Sequence, residues 1–323
     1  MAHPDRRMRT LMLAAMLGGS MGHAALAQIT DPDRRAAATE AQMTDAERFA
    51  MIYSIMGAAT IIGMTPDPRL PAGIPMSAAY VGGVPRLGVP AQLQTDASMG
   101  VTNPGYRPDD KGATAFPSAI LVGSSFNPAI ARRVGEAIAR EARARGFNIL
   151  LAGGANLTSE VRNGRNYEYY AEDPWLTGVM AAEAVNGVQS QGVISTLKHY
   201  AANNFEHNRH WQDVIADRTG LREAELLGFQ IAIERSQPGA IMCGYNKLNG
   251  DYLCGHDWLL NQVLKKDWGY RGWVMSDWGA TPSWEFALKG LDQESGLQND
   301  VSLWGAEAFT DKLRAAYRDG TLP

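Results

Sequence analysis

The stretch Gly272-Trp273-Val274-Met275-Ser276-Asp277-Trp278-Gly279 joins a short apolar run to a carboxylate and an indole. Its first half is apolar, contains an aromatic and a β-branched residue, and follows a glycine, which predicts a short buried strand. Asp277 then stands where that strand would leave the sheet. In parallel α/β architectures, the C-terminal ends of the strands carry the chemistry. Asp277 is therefore either a functional carboxylate or the N-cap of the next helix, and this segment alone does not separate the two.

Short apolar runs of this kind alternate with amphipathic ones along the chain. Strand-like runs fall at 119–122, 148–151, 192–197, 240–243 and 273–275, and a further strand at 87–93 leads to Thr95 and Asp96. Helical periodicity falls at 128–145, 174–189, 221–234 and 258–266. Strands that alternate with helices indicate parallel βαβ units. Because the sequence has neither a Gly-x-Gly-x-x-Gly turn after the first strand nor a P-loop, we expect an α/β fold of the (β/α)8 TIM-barrel-like kind, complete or incomplete.

The composition is that of an ordinary globular protein. Of 323 residues, 45% are hydrophobic and 20% are charged. The length is enough for one large domain or two smaller ones. The net charge of −4, with no stripe of lysine or arginine, argues against nucleic acid or an anionic membrane as a partner. The oligomeric state is left open by the sequence.

The first 27 residues have the three parts of a secretory signal peptide. Arg6, Arg7 and Arg9 precede an apolar stretch at 11–17, and Ala25-Leu26-Ala27 places small residues at a cleavage site. The apolar stretch is too short for a stable transmembrane helix. We expect cleavage after Ala27, export to the periplasm or the medium, a lead-in segment at 28–43, and a folded domain at 44–323.

Cys243 and Cys254 are the two cysteines of the chain. In an oxidising compartment a disulfide between them is the natural interpretation, and two free buried thiols are the alternative. Two cysteines without a neighbouring pair of histidines argue against a structural zinc site. His-x-x-x-His and Glu-x-x-His spacings are also missing from the predicted helices, so we expect no metal and no cofactor.

Polar side chains collect at the ends of the predicted strands. They are Asp96, Asn156 with Arg165 beyond it, Lys198 and His199 with Arg209 beyond them, Tyr245, and Asp277 with Trp278. Any one of them could be a cap or a buried ion, but their recurrence at the same end of successive strands predicts a ring around one mouth. Carboxylates, cations, amides and aromatics suit a neutral polyhydroxylated ligand. Charged groups hydrogen-bond hydroxyls strongly, and an indole covers the apolar face of a sugar ring.

Several segments together resemble the N-terminal barrel of glycoside hydrolase family 3, the β-glucosidase and β-xylosidase group. The matching segments are Ala115-Phe116-Pro117, Gly164-Arg165-Asn166-Tyr167-Glu168-Tyr169, Glu172-Asp173-Pro174, Lys198-His199-Tyr200-Ala201-Ala202-Asn203-Asn204, Gly244-Tyr245-Asn246-Lys247-Leu248-Asn249-Gly250 and Val274-Met275-Ser276-Asp277-Trp278-Gly279. They occur in the family's order, and their combination is specific. The resemblance implies a TIM-barrel-like fold and retaining hydrolysis of terminal β-D-glucosyl residues. The expected partner is a β-glucoside or a short β-glucan oligosaccharide.

The resemblance also implies a role for each matched position. Asp277 corresponds to the nucleophile that forms a covalent glycosyl-enzyme, and Asp96 corresponds to the carboxylate that holds distal hydroxyls of the sugar. The other matched positions of the sugar-binding subsite are Arg165, Lys198, His199, Arg209, Tyr245 and Trp278. The pair Cys243 and Cys254 resembles the bridged loop of many secreted members, which strengthens the disulfide prediction.

Two departures from the family pattern bear on the site. Most relatives begin an Asp-Gly-Pro-x-Gly-x-Arg segment at Asp96, whereas here Thr102 stands at the arginine position. In this family the acid/base glutamate commonly comes from a following α/β-sandwich domain, which we expect to be absent from a chain ending at Pro323. We therefore expect a truncated enzyme with no identifiable acid/base of its own, in which Glu294 is at most a residue of the site rim.

Three alternatives stay open at this point. The chain could be a sugar-binding remnant without turnover, or a β-xylosidase of the same family. It could also be a Schiff-base aldolase that uses Lys198. His199 and the asparagines that follow it favour sugar hydroxyls over the aldolase.

Overall fold

The computed structural model describes residues 31–57, 67–102 and 112–322, and these divide into two units. The smaller unit consists of Gly82–Ala91 and the described part of Met1–Met51, and the larger consists of Ile52–Val81 and Gln92–Pro323. The predicted signal peptide at 1–27 lies outside the described residues, so export stays a prediction.

The smaller unit contains helices α1 (Pro32–Glu40) and α2 (Asp45–Met51). Asp31 caps α1 through its carboxylate, and Pro32 occupies the first turn. Helix α2 begins with a capping box: Glu47 accepts a hydrogen bond from Thr44 N at 2.8 Å, and Thr44 Oγ1 accepts one from Glu47 N at 3.3 Å. Much of the predicted lead-in segment is therefore helical.

The described part of the larger unit contains two sheets. The strands, in chain order, are β1 (Ala79–Val81), β2 (Gln92–Thr95), β3 (Ile149–Leu150), β4 (Ile194–Tyr200), β5 (Asp213–Val214), β6 (Ala240–Cys243), β7 (Lys247–Leu248), β8 (Asp251–Tyr252) and β9 (Trp273–Ser276). The main sheet has the order β1-β2-β3-β4-β6-β9, and the small sheet has the order β5-β7-β8. In the main sheet β1 is antiparallel to β2, and the other pairs are parallel. The main sheet curls into part of a barrel, which confirms the predicted TIM-barrel-like fold in incomplete form.

Helices follow the strands in the predicted alternation. They are α3 (Ala119–Gly123), α4 (Pro128–Ala144), α5 (Pro174–Ser190), α6 (Arg218–Glu223), α7 (Leu227–Ser236), a π-helical segment (Trp258–Asp267), α8 (Leu297–Trp304) and α9 (Asp311–Arg318). The core includes Ile149 and Leu150 of β3 against Ile138 and Ala142 of α4, all nearly or wholly buried. Among the described helices, none combines the length and the apolar character needed to cross a bilayer.

Three predicted elements differ from the structure. The run 119–122 is helix α3 rather than a strand, and Ser118 caps the helix by accepting from Leu121 N. A run of four aliphatic residues is too short to show whether it has the periodicity of a helix or of a strand. The strand predicted at 87–93 begins only at Gln92, after a 3-10 turn (Pro85–Leu87) that ends at Gly88 with φ 71°. The helix predicted at 221–234 is interrupted between α6 and α7, where Leu221 and Leu226 both turn into the core.

Helices α4 and α5 approach each other closely at two glycines. A Cβ at Gly187 would lie 2.2 Å from the Arg132 carbonyl oxygen, and one at Gly135 would lie 2.4 Å from the Ala184 carbonyl oxygen. Such distances leave no space for a methyl group, so the two helices pack backbone against backbone. This packing fixes the outer layer behind β3 and β4.

We predict that Gly187→Ala destabilises the chain, although alanine ordinarily favours a helix over glycine by about 1 kcal/mol. The methyl group would force α4 and α5 apart, at an expected cost of about 1–3 kcal/mol in the free energy of unfolding. Thermal unfolding followed by circular dichroism measures the effect. Ser190→Ala, at the exposed end of the same helix, is the control and should shift Tm little. An unchanged Tm for Gly187→Ala would contradict the close packing.

Candidate active site

One cavity of about 910 Å³ lies at the C-terminal ends of the main-sheet strands, within the size range of ligand pockets. Its lining includes all eight members of the predicted catalytic and sugar-binding set, namely Asp96, Arg165, Lys198, His199, Arg209, Tyr245, Asp277 and Trp278. They come from segments that follow or end β2, β3, β4, β6 and β9. The structure thus brings the whole set together, while the individual roles stay predictions.

Asp277 directly follows β9 and is nearly buried. Its Oδ1 accepts two hydrogen bonds, from the Tyr245 hydroxyl at 2.5 Å and from Trp278 N at 2.8 Å. Burial, together with the Asp277 charge, raises the pKa of Tyr245 well above its ordinary value, so Tyr245 stays a phenol that can donate. Asp277 Oδ2 accepts no hydrogen bond from the described residues. The carboxylate is thus held by one oxygen and has the other available.

His199 lies behind Asp277 as a neutral imidazole. Burial lowers its pKa well below the ordinary value, and the nearby charges of Arg165, Lys198 and Arg209 act in the same direction. Since a guanidinium only donates, the 2.8 Å contact from Arg165 Nη2 makes His199 Nε2 an acceptor. The proton therefore lies on Nδ1, 3.1 Å from the Tyr169 hydroxyl. His199 Nε2 and Asp277 Oδ2 are 3.4 Å apart with no proton between them. The single lone pair of Nε2 already accepts from Arg165, so Asp277 Oδ2 is the one of these two atoms that can accept from a ligand hydroxyl.

Asn156 supports the site from behind instead of lining the cavity. Its Nδ2 donates to the His199 carbonyl oxygen at 2.8 Å, and its Oδ1 accepts from His199 N at 2.7 Å. The register of β4 against β6 shifts between Lys198 and Tyr200, so the ladder is irregular at this point. The Asn156 amide replaces ladder hydrogen bonds there and holds the His199 backbone in place.

Glu168 is the cavity residue that the sequence reasoning did not single out, although it lies within the matched segment 164–169. It accepts from Arg165 through both carboxylate oxygens, at 2.7 and 3.2 Å, and lies 3.3 Å from Lys198 Nζ. Burial alone would raise the pKa of Glu168, but Lys198 and Arg165 outweigh burial and lower it to about 2. Glu168 is thus an ionised anchor for two cations of the predicted subsite. The aldolase alternative requires Lys198 Nζ to attack a carbonyl carbon, whereas here that atom lies against the Glu168 carboxylate.

Asp96 and the residues after it form another side of the cavity. Burial raises the pKa of Asp96, and the nearby Lys198 opposes that shift. Thr102 lines the cavity at the position where most relatives have arginine, and its N–H donates to the Asp96 carbonyl oxygen at 2.9 Å. Met99 and Phe116 complete this wall, so it is more apolar than the family pattern implies.

Arg209 covers the outer face of Tyr245. Its guanidinium lies 3.8 Å from the Tyr245 ring centroid and donates to Glu206 at 2.7 Å. The predicted disulfide between Cys243 and Cys254 is present and closes the segment that carries Tyr245. Tyr245 is therefore fixed by a covalent bridge near its backbone, by a cation on its ring, and by Asp277 at its hydroxyl.

Glu294 does not lie at the rim of the site, contrary to the prediction. It is wholly buried and accepts hydrogen bonds from Ala308 N and Phe309 N. Asp300 lies beside it, and Asp300 Oδ1 accepts from Thr281 N at 2.9 Å. Burial raises the pKa of both carboxyl groups, and for Asp300 the Glu294 charge raises it further. This buried carboxyl pair ties the segment after Asp277 to the C-terminal part of the described chain.

In the part of the chain that the structure describes, no group of three or more histidine, cysteine, aspartate or glutamate side chains is arranged to hold a metal ion. The carboxylates of the cavity instead have arginine, lysine and tyrosine as partners.

We predict that Glu168→Gln costs about 3–5 kcal/mol in the free energy of unfolding, because it leaves Arg165 and Lys198 as buried cations without their carboxylate. Urea unfolding measures this cost. Glu160→Gln is the matched control: Glu160 accepts from Arg162 at 2.9 Å in an exposed ion pair, and its loss should change the stability little. Equal effects of the two substitutions would contradict the anchoring role of Glu168.

We predict that Asp300→Asn reduces the dependence of stability on pH. With pKa values raised by folding, the folded chain keeps protons that the unfolded chain releases. The contribution of this pair to stability is therefore largest at about pH 4 and falls as the pH rises above that ordinary carboxyl pKa. Asparagine cannot ionise but can still accept from Thr281 N. In urea unfolding from pH 4 to pH 8, the unsubstituted chain should lose stability relative to Asp300→Asn, and a constant difference between the two proteins would refute the raised pKa of Asp300.

Comparisons with known proteins agree with this architecture. The profile described as Glycosyl hydrolase family 3 N terminal domain matches residues 77–295. Thermostable beta-glucosidase B of Acetivibrio thermocellus is 41% identical over 248 residues, which are 74% of this chain and 32% of that protein. An exo-alpha-(1->6)-L-arabinopyranosidase of Bifidobacterium breve is 36% identical over 251 residues, which are 75% of this chain and 32% of that protein.

A solved structure is similar over most of this chain. Beta-glucosidase 3B from Thermotoga neapolitana in complex with glucose superposes with a TM-score of 0.80 at 36% identity, and the match covers 88% of this chain and 40% of that one. The chain spans about a third of the length of the curated relatives that it matches. The chain belongs to glycosyl hydrolase family 3, and the matched residues are the N-terminal domain of that family.

Proposed function

We propose that this chain binds a terminal β-D-glucosyl residue and provides the nucleophile, Asp277, for retaining hydrolysis of its glycosidic bond. The observation that carries the proposal is the state of the Asp277 carboxylate. Oδ1 is held by Tyr245 and by the backbone, while Oδ2 has no hydrogen-bond partner among the described residues and belongs to a cavity-lining side chain. A nucleophile needs such an oriented carboxylate with one oxygen free.

In this mechanism Asp277 Oδ2 attacks the anomeric carbon, and the bond from that carbon to the leaving oxygen breaks. Positive charge develops at the ring as the bond breaks. The cavity suits that charge, since its lining offers four carboxyl groups (Asp96, Glu168, Glu206 and Asp277) against three cations (Arg165, Lys198 and Arg209), with His199 neutral. The ester formed with Asp277 is then hydrolysed by water, which restores the carboxylate and the original anomeric configuration.

The sugar hydroxyls are expected to bind to the side of the cavity formed by Asp96, Lys198, Arg165 and His199. Asp96 can accept from one hydroxyl, and Lys198 and Arg165 can donate to others. Hydrogen bonds of this kind accelerate the reaction only if they tighten as the ring flattens toward the transition state. Trp278 offers its indole face to the apolar side of the ring.

Glucose is the proposed sugar because several similar proteins are named β-glucosidases and one similar structure holds glucose. A relative named for arabinopyranoside hydrolysis shows that this barrel also occurs with another pyranose specificity. Xylose lacks the hydroxymethyl group of glucose, so the space beside Asp96, Met99 and Phe116 should decide between the sugars.

A second candidate function is sugar binding without turnover. It is favoured by the ion pairs of the cavity. Glu168 is bound to Arg165, and Glu206 is bound to Arg209, so neither is a ready proton donor for a leaving group. The proposal therefore assigns the leaving-group proton to no described residue, and its test avoids the need for one.

We predict that 2-deoxy-2-fluoro-β-D-glucosyl fluoride labels Asp277. Fluoride leaves without protonation as the bond from the anomeric carbon to Asp277 Oδ2 forms, so the nucleophile is tested by itself. Mass spectrometry of the intact chain and of its peptides should show one fluoroglucosyl group on the peptide that contains Asp277. The corresponding xylosyl fluoride, tested in parallel, compares the two sugars.

Asp277→Asn should abolish the label. Asp292→Asn is the matched control, because Asp292 also accepts from a backbone N–H, that of Val274 at 2.8 Å, but does not line the cavity. Glucose binding with no label would favour the second candidate. Label on any residue other than Asp277 would refute the assigned nucleophile.

A further inference from the structure

A chain of aromatic rings runs from the cavity onto the surface. It begins at Tyr245, whose ring centroid is 4.8 Å from that of His210, and continues from His210 to Trp211 at 5.6 Å. Trp211 is followed by Trp304 at 6.3 Å and then by Tyr252 at 6.0 Å from Trp304. We call Trp211, Trp304 and Tyr252 the aromatic platform. None of its three members lines the cavity, but each step from Tyr245 outward is a direct ring contact.

A second contact joins the platform to the nucleophile segment. The Trp304 indole N–H donates to the Gly279 carbonyl oxygen at 3.0 Å, two residues after Asp277. This bond uses the polar atom of the ring and fixes the plane of the indole. The platform therefore adjoins the cavity on the side of Tyr245 and Trp278.

The small sheet gives the platform a rigid base. Trp211 lies two residues before β5, Tyr252 is the last residue of β8, and Lys247 of β7 places its Nζ 4.9 Å from the Tyr252 ring centroid. Strand β7 is also joined to the segment that carries Trp211, because Lys247 N donates to the Gln212 carbonyl oxygen at 2.8 Å. These three short strands thus hold aromatic rings at defined positions beside the cavity.

The aromatic platform is more exposed to solvent than the packing of its rings requires. Trp211 is 60% exposed, although it touches His210 and Trp304 at its edges. Covering an exposed indole with an apolar surface is favourable, because it removes apolar area from water. Aromatic rings bordered by a few polar groups are typical of ligand subsites. Lys247, with its Nζ beside the Tyr252 ring, lies at this rim and can hydrogen-bond hydroxyl groups.

We propose that the aromatic platform is a second sugar-binding site, which stacks the next pyranose of a β-linked glucan on Trp211 when the terminal glucosyl residue is in the cavity. The inference rests on the proposed function, because it takes the cavity as the site of the first sugar. A sugar is favoured as the occupant because the platform is connected to the cavity residue Tyr245 through His210. A second ring linked to the first must leave the cavity, and the exposed indole lies along the chain of rings that leads out of it.

The test compares the binding of glucose and of 4-thiocellobiose, a sulfur-linked disaccharide that glycosidases do not cleave, by isothermal titration calorimetry on the full chain. Trp211→Ala should weaken thiocellobiose binding by about tenfold, as expected for one lost stacking contact, and should change glucose binding less than twofold. Trp211→Phe keeps a stacking ring and should restore most of the lost affinity. Trp175→Ala is the matched control, because Trp175 is also exposed, at 57%, but belongs to α5.

Several outcomes would overturn the inference. Equal binding of thiocellobiose by Trp211→Ala and the unsubstituted chain would show that the indole holds no sugar. Equal weakening of glucose and thiocellobiose would mean that Trp211 shapes the cavity instead. A dimer of the unsubstituted chain that becomes a monomer in Trp211→Ala, seen by light scattering, would make the platform a protein interface. Failure of the unsubstituted chain to bind glucose would refute the proposed function itself, and so is distinguishable from failure of the platform alone.

Discussion

The Glu168 carboxylate, held between Arg165 and Lys198, is the interaction on which the cavity depends. Three cations gathered beside one another in a buried site would repel, and each would lose its hydration. Glu168 balances two of them and Glu206 balances Arg209, so each cation that faces the cavity has a carboxylate beside it. Asp277 stands outside these pairs, and its Oδ2 accepts no hydrogen bond from the described residues. The anchors thus separate the carboxylates that hold the site from the one proposed to act in it.

Burial and the same charges determine the state of His199. Burial keeps the imidazole neutral, the three cations around it act in the same direction, and the Arg165 contact fixes which nitrogen carries the proton. A neutral imidazole next to Asp277 Oδ2 cannot neutralise that oxygen as an imidazolium would. Asp277 Oδ2 therefore keeps its lone pairs, while Tyr245 orients the carboxylate through the other oxygen. Orientation and reactivity are assigned to different atoms of one side chain.

Sequence reasoning predicted the barrel-like fold and the grouping of eight cavity residues because both depend on strand ends, which local patterns reveal. It missed Glu168, since a glutamate in a polar loop looks solvated until the fold places Lys198 beside it. It misplaced Glu294 because a carboxyl in Leu291-Asp292-Gln293-Glu294 gives no local sign that Ala308 and Phe309 will bury it. It also predicted a strand at 119–122, because four aliphatic residues show no clear periodicity. The Ser118 cap makes this run a helix. Contacts that are distant in sequence account for the first two errors.

The segment after Asp277 contacts both Asp300 of the buried carboxyl pair and Trp304 of the aromatic platform. Thr281 is held by the Asp300 carboxyl, and Gly279 is held by the Trp304 indole, and both partners come from α8. Helix α8 therefore fixes the segment after Asp277 at two points, one at the buried carboxyl pair and one at the aromatic platform. Trp304, which holds the Gly279 carbonyl oxygen, is also in ring contact with Trp211, on which the second sugar is proposed to stack. The proposed second sugar site and the backbone beside Asp277 thus share α8 as a structural support.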